Sequence, residues 1–408
     1  MAAEVMLGID FGTSYTSAGA LVGGRVELVQ DQGDPAIPSV VHIPRGGDFV
    51  VGSQASLRLA SDPSSTIASV KRLLGAGPEQ LKTLATTTTH PLRVANGGLV
   101  LTTSNGDFAS EQIAAAIFSK VRDLAERRFG GRVRRAVVAI PAAANRDYVA
   151  ALQRAARLAH IEIAQIISEP IAGALALGLH GEPLHRRLVV CDFGGGTFDV
   201  SAIMQQGLRF VPVATSGEAH LGGDDLDSAM AGAIAGTIYG RSRFNILDDR
   251  VRRTLLTQRC ESVKRALSTQ PQARLLMHDG YIEKGGHRTL DLVVERAWVE
   301  TVWTPIIQRA VICVSNTLAR ANWNIDTIDQ IVLIGGSSTV PLYRAALEIA
   351  FGAHRVSTTP LAGVAVAMGT TLITAKYVSP GGEIPVLAPP TLAAAAPEDD
   401  GIPLELCF

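Results

Sequence analysis

Two stretches far apart in the chain share one order of residues. Leu7 to Ser14, LGIDFGTS, and Leu188 to Ser201, LVVCDFGGGTFDVS, each run from an apolar segment into Asp-Phe-Gly and then threonine. Such an order describes a strand ending in a turn. Gly194, Gly195 and Gly196 lack a Cβ, so their backbone is expected to reach positive φ and to bring N–H groups against an anion. A phosphate is the expected guest, with the Thr197 hydroxyl beside it and Asp192 and Asp199 as carboxylates for an accompanying cation. A glycine triplet alone would serve equally well as a tight hairpin that binds nothing. Turn chemistry has no need of a repeated carboxylate, however, and the recurrence of Asp-Phe-Gly around Asp10 predicts two related lobes that share one site. The spacing excludes two other nucleotide motifs: Gly194, Gly196 and Asp199 break G-x-G-x-x-G, and G-x-x-x-x-G-K-[ST] is absent.

The 408 residues, 47% of them hydrophobic, allow two or three domains. A formal net charge of −1 gives no field that would favour nucleic acid or an anionic membrane surface. The basic cluster Arg132, Arg134 and Arg135 reads as a solvated helix-to-strand connection. Cys191, Cys260, Cys313 and Cys407 have neither zinc-site spacing nor a disulfide framework, which fits a reducing cytoplasm. Met1 to Asp10 has no signal-peptide pattern, and no apolar run approaches the roughly 18 residues of a membrane span. The expected partners therefore include no nucleic acid and no membrane.

Along the chain, MLGID, TSAGAL and RVELVQ read as a meander, with Gly23-Gly24 as a hairpin turn. A helix is expected around Ser53 to Ala60. Thr66 to Gly75, TIASVKRLLG, reads as an amphipathic helix on which Lys71 would ordinarily snorkel to the surface. Thr86 to Leu101 reads as an irregular edge hairpin, Glu111 to Phe129 as a helix, and Arg135 to Pro141 as a buried strand. Asn145 and Asp147 offer capping for an Ala-rich helix to His160. Glu169 falls at a strand-to-helix junction, where it either points at a ligand or simply complements the helix dipole. Gly222 and Gly223 precede an acidic helix start. A helix over Leu247 to Leu267 places Glu261, Lys264, Arg265 and Ser268 on one face, as a surface ion-pair row or as a polar wall against a base. Ile328 to Pro341 repeats the strand-and-glycine design at Gly335, Gly336 and Ser337. A small-residue helix is expected over Thr359 to Lys376, and a Pro- and Ala-rich disordered tail from Ser379 to Phe408.

Seven motifs in order, GIDFGTS, VKRLLG, ISEPIAGALALGL, DFGGGTFDVS, HLGGDDLD, ESVKRALS and IVLIGGSSTVP, resemble the nucleotide-binding domain of the Hsp70 chaperones, a branch of the actin, hexokinase and Hsp70 ATPase superfamily. The resemblance implies an α/β chain of the actin-like ATPase fold, with two lobes, each built on a mixed ribonuclease H-like sheet, and four subdomains. Lobe I would span residues 1–182 and lobe II residues 183–378. ATP or ADP would lie in the cleft between them. By the same resemblance Lys71 positions the attacking water, while Asp10, Glu169 and Asp192 order a hydrated Mg²⁺. Thr13 and Gly194 to Thr197 would hold the phosphates, and Gly12, Ser14, Gly222 and Gly223 would also bind the nucleotide. Glu261, Lys264, Arg265, Ser268 and Gly335 to Ser337 would hold the nucleoside. K⁺ would accompany Mg²⁺ at Asp10 and Asp199. Slow turnover is expected, because no side chain in this set is a strong general base.

Departures from the pattern also carry expectations. Thr339 stands where the family usually has an arginine on adenine, and Leu361 replaces an acidic residue, so the base end should differ. Ala164-Gln165 replaces a pair that helps dock J-domain co-chaperones, and Val149 replaces an arginine that works with the residue at Pro141. The chain is expected to act without the family's substrate domain, as a cytoplasmic ATPase read by a partner protein, with the tail as a docking peptide. A nucleotide-sensing scaffold with negligible hydrolysis, an actin-like filament protein and a small-molecule kinase stay open as alternatives.

Overall fold

The computed structural model describes residues 4–85, 88, 90–95, 98–178, 185–207 and 209–378. The tail expected over 379–408, with Cys407, lies outside these residues. Two mixed sheets repeat one plan. Glu4–Phe11, Tyr15–Val22 and Arg25–Leu28 form an antiparallel meander, joined through Glu4–Phe11 to the parallel strands Arg132–Ile140 and Glu162–Ser168. His185–Phe193, Phe198–Gln206 and Arg209–Glu218 form the second meander, joined through His185–Phe193 to the parallel strands Gln330–Ile334 and Val356–Ser357. Strand order and direction therefore agree between the sheets, as the repeated Asp-Phe-Gly motif suggests. The result is an α/β chain with mixed sheets, consistent with the expected actin-like ATPase fold.

The register carries the two motifs to matching places. Asp10 pairs with Ser17 across the first hairpin, and Asp192 pairs with Asp199 across the second. Gly23 and Gly24, at φ 57° and 77°, turn the chain into the strand Arg25–Leu28, in a region that other residues rarely enter. Each sheet has its own buried core. One contains Leu7, Ile9, Phe11 and Phe118, and the other contains Phe193, Phe198, Trp303 and Tyr343.

A third core joins the sheets. Met6, Val137 and Ala139 from the first meet Leu188, Val190, Val332 and Ile334 from the second, around the helices Glu169–Ala176 and Ala365–Ile373. These two helices are in backbone contact: a Cβ on Gly369 would lie 1.7 Å from the Ala172 carbonyl oxygen. The small residues of IAGALALGL thus serve a close helix crossing.

Several local expectations are corrected. Thr66 to Gly75 is not a helix but a strand, Thr66–Ala68, followed by a 3₁₀ turn over Val70–Leu73. Thr66, Ile67 and Ala68 pair with Val40–His42, and these sheet hydrogen bonds override a pattern that was only locally helical. Ser53 to Ala60 divides into the short helices Ser53–Ser56 and Arg58–Ser61. The helix with the Glu261 row starts at Arg250, where the Asp249 carboxylate accepts from Arg252 N–H at 2.9 Å. The irregular hairpin expected over Thr86 to Leu101 belongs to a three-stranded sheet of Leu92–Ala95, Gly98–Thr103 and Gly106–Ala109, with residues 86, 87, 89, 96 and 97 outside the description. Arg132 and Arg134 are exposed, but they lie in the strand Arg132–Ile140 rather than in a connection before it. No helix among the described residues is long and apolar enough to cross a membrane.

Candidate functional site

The two hairpin turns face each other across a cleft of about 1150 Å³ that is open to solvent. Asp10, Gly12, Thr13 and Ser14 line one side, and Asp192 with Gly194 to Thr197 line the other. Lys71 and Glu169 reach the same space, as do Glu261, Lys264, Arg265, Ser268 and Gly335 to Ser337. Asp199, Gly222 and Gly223 do not line it.

Close approach explains two of the three glycines of the second turn. Positive φ was expected at Gly194 to Gly196, and none of the three adopts it. A Cβ on Gly195 would instead lie 2.1 Å from Ser14 Oγ, and one on Gly196 would lie 2.2 Å from Arg72 Nη2. At Gly195 and Gly196 a Cβ would therefore collide with side chains of the opposite hairpin and of the turn carrying Lys71, whereas at Gly194 it would meet only Thr197 of its own turn, no closer than the carbonyl oxygen at 3.4 Å. Positive φ does occur at the third turn, at Gly335 with φ 85°. Gly194 is a junction: its N–H donates to the Thr197 carbonyl at 3.0 Å, and its own carbonyl accepts from Gly223 N–H at 3.0 Å and from Ser337 Oγ at 2.8 Å. Gly222 and Gly223 thus support the turn from behind.

Lys71 is not a snorkelling surface residue. Its ammonium donates to Glu169 Oε1 at 2.8 Å, and both side chains are about nine-tenths buried. Burial would lower the Lys71 pKa, but Glu169, and after it Tyr148 and Asp10, outweigh this and raise it. Lys71 therefore stays charged and cannot take a proton from water.

The carboxylates around it behave oppositely. Burial, then Glu169, push Asp10 up to about 7 against the attraction of Lys71. Burial raises Asp199 to about 6 and raises Asp192 well above the usual carboxylate range. Burial thus favours protons on these acids, and a cation entering the site would take the place of those protons. No group of three or more His, Cys, Asp or Glu side chains among the described residues is arranged to hold a metal ion directly. The donor set instead suits a cation that keeps its water shell.

At the other end of the cleft, Lys264 is tied down by Gly223 O at 2.9 Å and by Asp227 Oδ2 at 2.6 Å, both buried contacts. Arg265 stacks 4.6 Å from the centre of the Tyr15 ring and bonds to Glu261 at 3.3 Å. Ser268 Oγ and Thr339 Oγ1 are 3.5 Å apart, and Thr339 also donates to the Gly336 carbonyl at 2.8 Å. Ala36, Val340, Ala362, Gly363 and Val364 complete an apolar edge. Leu361 is not among the lining residues.

Three further residues bind the two sides of the cleft together, and the motif reading did not single them out. The Tyr15 phenol donates to Glu261, Arg72 Nη2 donates to the Gly196 carbonyl at 2.8 Å, and Ser14 Oγ lies 3.4 Å from both carboxylate oxygens of Asp224. Arg72 and Asp224 stand inside VKRLLG and HLGGDDLD, and Tyr15 immediately follows GIDFGTS. Their positions were visible, but which residue each would meet was not.

The Hsp70 protein family model matches residues 6–383. The chain is 34% identical over 382 residues to a heat shock cognate HSP70 protein of Trypanosoma brucei brucei, covering 90% of this chain and 56% of that protein. It is 31% identical over 353 residues to the stromal 70 kDa heat shock-related protein, chloroplastic, of Pisum sativum, covering 86% and 50%. It is 32% identical over 340 residues to the chaperone protein dnaK of Guillardia theta, covering 82% and 54%. The chain thus spans about half the length of the curated relatives it matches.

Proposed function

This chain belongs to the Hsp70 family, and from that premise we propose that it binds ATP and ADP in the cleft and hydrolyses ATP slowly to ADP and phosphate. The observation that carries the reading is the buried Lys71–Glu169 pair, held at 2.8 Å where the two Asp-Phe-Gly hairpins meet. Phosphoryl transfer requires charge neutralisation and an aligned water more than covalent help. The Lys71 ammonium supplies a fixed positive charge and a donor for that water. Thr13, Ser14 and Thr197 offer hydroxyls, and the Gly195–Gly196 turn brings backbone close to the phosphates. Glu261, Arg265 and Ser268 face the nucleoside. A hydrated Mg²⁺ held by Asp10, Glu169 and Asp192 would neutralise the phosphates, and K⁺ would accompany it at Asp10 and Asp199. Turnover is slow because Lys71 cannot act as a base. Residues 1–182 and 183–378 would be the two lobes, moving about the helix pair Glu169–Ala176 and Ala365–Ile373. Their opening and closing would be the signal that a partner protein reads in the cytoplasm.

Calorimetric titration with ATP, ADP and GTP in Mg²⁺, followed by measurement of released phosphate, tests the reading. Binding of adenine nucleotides with Mg²⁺-dependent phosphate release is the expected result. Tight binding without release would select the nucleotide-sensing scaffold, and no binding would reject both.

The acids set the sign of a pH effect. Asp10 and Asp199 have folded-state pKa values above the ordinary carboxylate value of about 4. Their contribution to stability is therefore present below about pH 4 and lost as pH rises through about 6 to 7. A divalent cation binds the deprotonated forms and reverses that loss. The rise in Tm on adding Mg²⁺, read by scanning calorimetry, should accordingly be larger at pH 8 than at pH 5.5.

The contacts across the cleft should slow nucleotide release. Tyr15→Phe removes the hydroxyl that reaches Glu261 and leaves the ring under Arg265. A hydrogen bond to a charged group is worth about 1.5–3 kcal/mol, so stopped-flow release of a fluorescent ADP should quicken by about ten- to a hundredfold. An unchanged rate would place the opening motion elsewhere.

A further inference from the structure

The basic run at residues 126–135, ERRFGGRVRR, takes no part in the nucleotide cleft. It helps to form a separate groove of about 1240 Å³, open to solvent, where the helices Ser110–Phe129 and Arg146–Leu158 meet the start of the strand Arg132–Ile140. Arg122, Arg132, Arg134 and Arg157 line it. Arg122 is occupied, since its Nη1 donates to the Ala159 carbonyl at 2.6 Å and its Nε to Asp123 at 2.9 Å. Arg157 donates through Nε to the Gln153 carbonyl at 3.2 Å, which leaves its two terminal nitrogens. The exposed side chains of Arg132 and Arg134 make no hydrogen bond or ion pair among the described residues. Two acids also line the groove, but Glu126 accepts from Val133 N–H at 2.9 Å, and Glu162 stands opposite Arg135 in the strand register. Like charges gathered on one face repel one another, and an anion laid among them relieves that repulsion. Carboxylates suit the groove best, because a guanidinium can bind both oxygens of one at once.

The chain carries such an anion itself. Residues 379–408 contain five acids, Glu383, Glu398, Asp399, Asp400 and Glu405, and no Lys, Arg or His. The point where the described chain ends puts them within reach. Tyr377 Oη donates to Gln165 Oε1 at 3.2 Å and lies 3.5 Å from the Ala164 carbonyl oxygen. Both residues belong to Glu162–Ser168, the outermost strand of the first sheet, and the first residue of that strand lines the groove. Three residues of strand measure about 10 Å. From Val378 to Glu398 the chain can reach up to roughly 65 Å, several times that distance. Segment and groove share one chain, so they meet at an effective concentration on the order of millimolar, and weak pairs suffice.

We propose that this groove is the docking site for the acidic segment 398–400 of the same chain, with Arg132, Arg134 and Arg157 taking its carboxylates. The segment then acts as a built-in competitor for any acidic partner of the groove. None of these residues lines the nucleotide cleft, so the proposal stands or falls apart from the ATPase reading.

A pair of nitroxide labels tests it in the full chain. Leu158 is exposed beside Arg157, Gly401 follows the acidic segment, and Cys191, Cys260 and Cys313 are buried. The labels go on Leu158→Cys and Gly401→Cys in a Cys407→Ser background. Pulsed EPR at low salt should show a narrow distance population near about 20 Å, whereas a chain of this length without the contact would give a broad one centred at about 25–30 Å. Glu398→Gln with Asp399→Asn and Asp400→Asn alters no residue of the described body. It should lower the docking equilibrium about tenfold, since each exposed ion pair accounts for a few-fold. Arg132→Glu with Arg134→Glu should do the same, and adding Glu398→Arg with Asp400→Arg should bring the narrow population back. Salt at about 1 M should broaden it. A broad distribution in the unaltered charge background would overturn the proposal, as would a narrow one that survives neutralisation of the acids. Loss of the short distance on dilution with unlabelled protein would put the segment on a second copy and overturn it as well.

Discussion

Lys71→Ala should lower ATP turnover by about 10²–10³, the range found when one donor aimed at developing charge is removed, while changing ADP affinity little. The ammonium is paired with Glu169 in the part of the cleft proposed for the phosphates, and Glu261, Arg265 and Ser268 are proposed for the nucleoside, so its loss should fall on the chemical step. A second consequence separates this from a simple loss of activity. Removing Lys71 leaves Glu169 buried beside Asp10 and Asp192 with no compensating cation, and breaking a buried pair from one side costs about 3–5 kcal/mol. Part of that cost is avoided when the carboxylates take up protons, so the variant should lose more Tm at pH 8 than at pH 6. Mg²⁺ should restore part of the difference. Phosphate release and scanning calorimetry at the two pH values check both claims, and equal turnover in variant and wild type would remove Lys71 from the mechanism.

Gly369→Ala should destabilise the fold by about 3 kcal/mol or more, lowering Tm by about 4 °C for a chain of this size. The added methyl would stand 1.7 Å from the Ala172 carbonyl oxygen and 2.5 Å from its carbon, and a backbone in a helix cannot move aside as a side chain can. Gly8 makes a similar demand from the first sheet, where a Cβ would lie 2.2 Å from Thr371 N. The damage therefore falls on the core shared by the two sheets, and nucleotide affinity should fall with stability. Gly232→Ala is the matched control. Gly232 lies in the helix Gly223–Ser242 with nothing within 4 Å of an added Cβ, so alanine there should stabilise by about 0.5–1 kcal/mol through helix propensity. Thermal melts of the two variants should move in opposite directions, and a Gly369→Ala protein that melts with the wild type would refute the crossing as drawn.

Much of the site was legible before the fold was known, because its parts are local. The Asp-Phe-Gly hairpins, the Glu169 junction and the face of Glu261, Lys264, Arg265 and Ser268 each lie within a single element, where spacing along the chain fixes direction. Lys71 was harder to place. Its neighbours read as an amphipathic helix, and only the pairing of Thr66–Ala68 with Val40–His42 ends that pattern and turns the lysine inward. Asp199, Gly222 and Gly223, expected near the ligand, are not among the residues lining the cleft, and Gly223 N–H instead bonds the Gly194 carbonyl. Their motifs identify the neighbourhood, and packing decides which atoms face the opening.

The sequence by itself determined the repeated strand-and-turn plan and, with it, the chemistry of both hairpins, because alternation, apolar runs and glycine positions act over a few residues. Only the tertiary structure decided what crowds Gly195 and Gly196, which carboxylate holds Lys71, that Tyr15 meets Glu261, and that the Tyr148 hydroxyl is left without a partner among the described residues. Each of these depends on the distance between atoms on different elements. That distance is fixed by how the two sheets close on the helices Glu169–Ala176 and Ala365–Ile373, a packing to which both halves of the chain contribute.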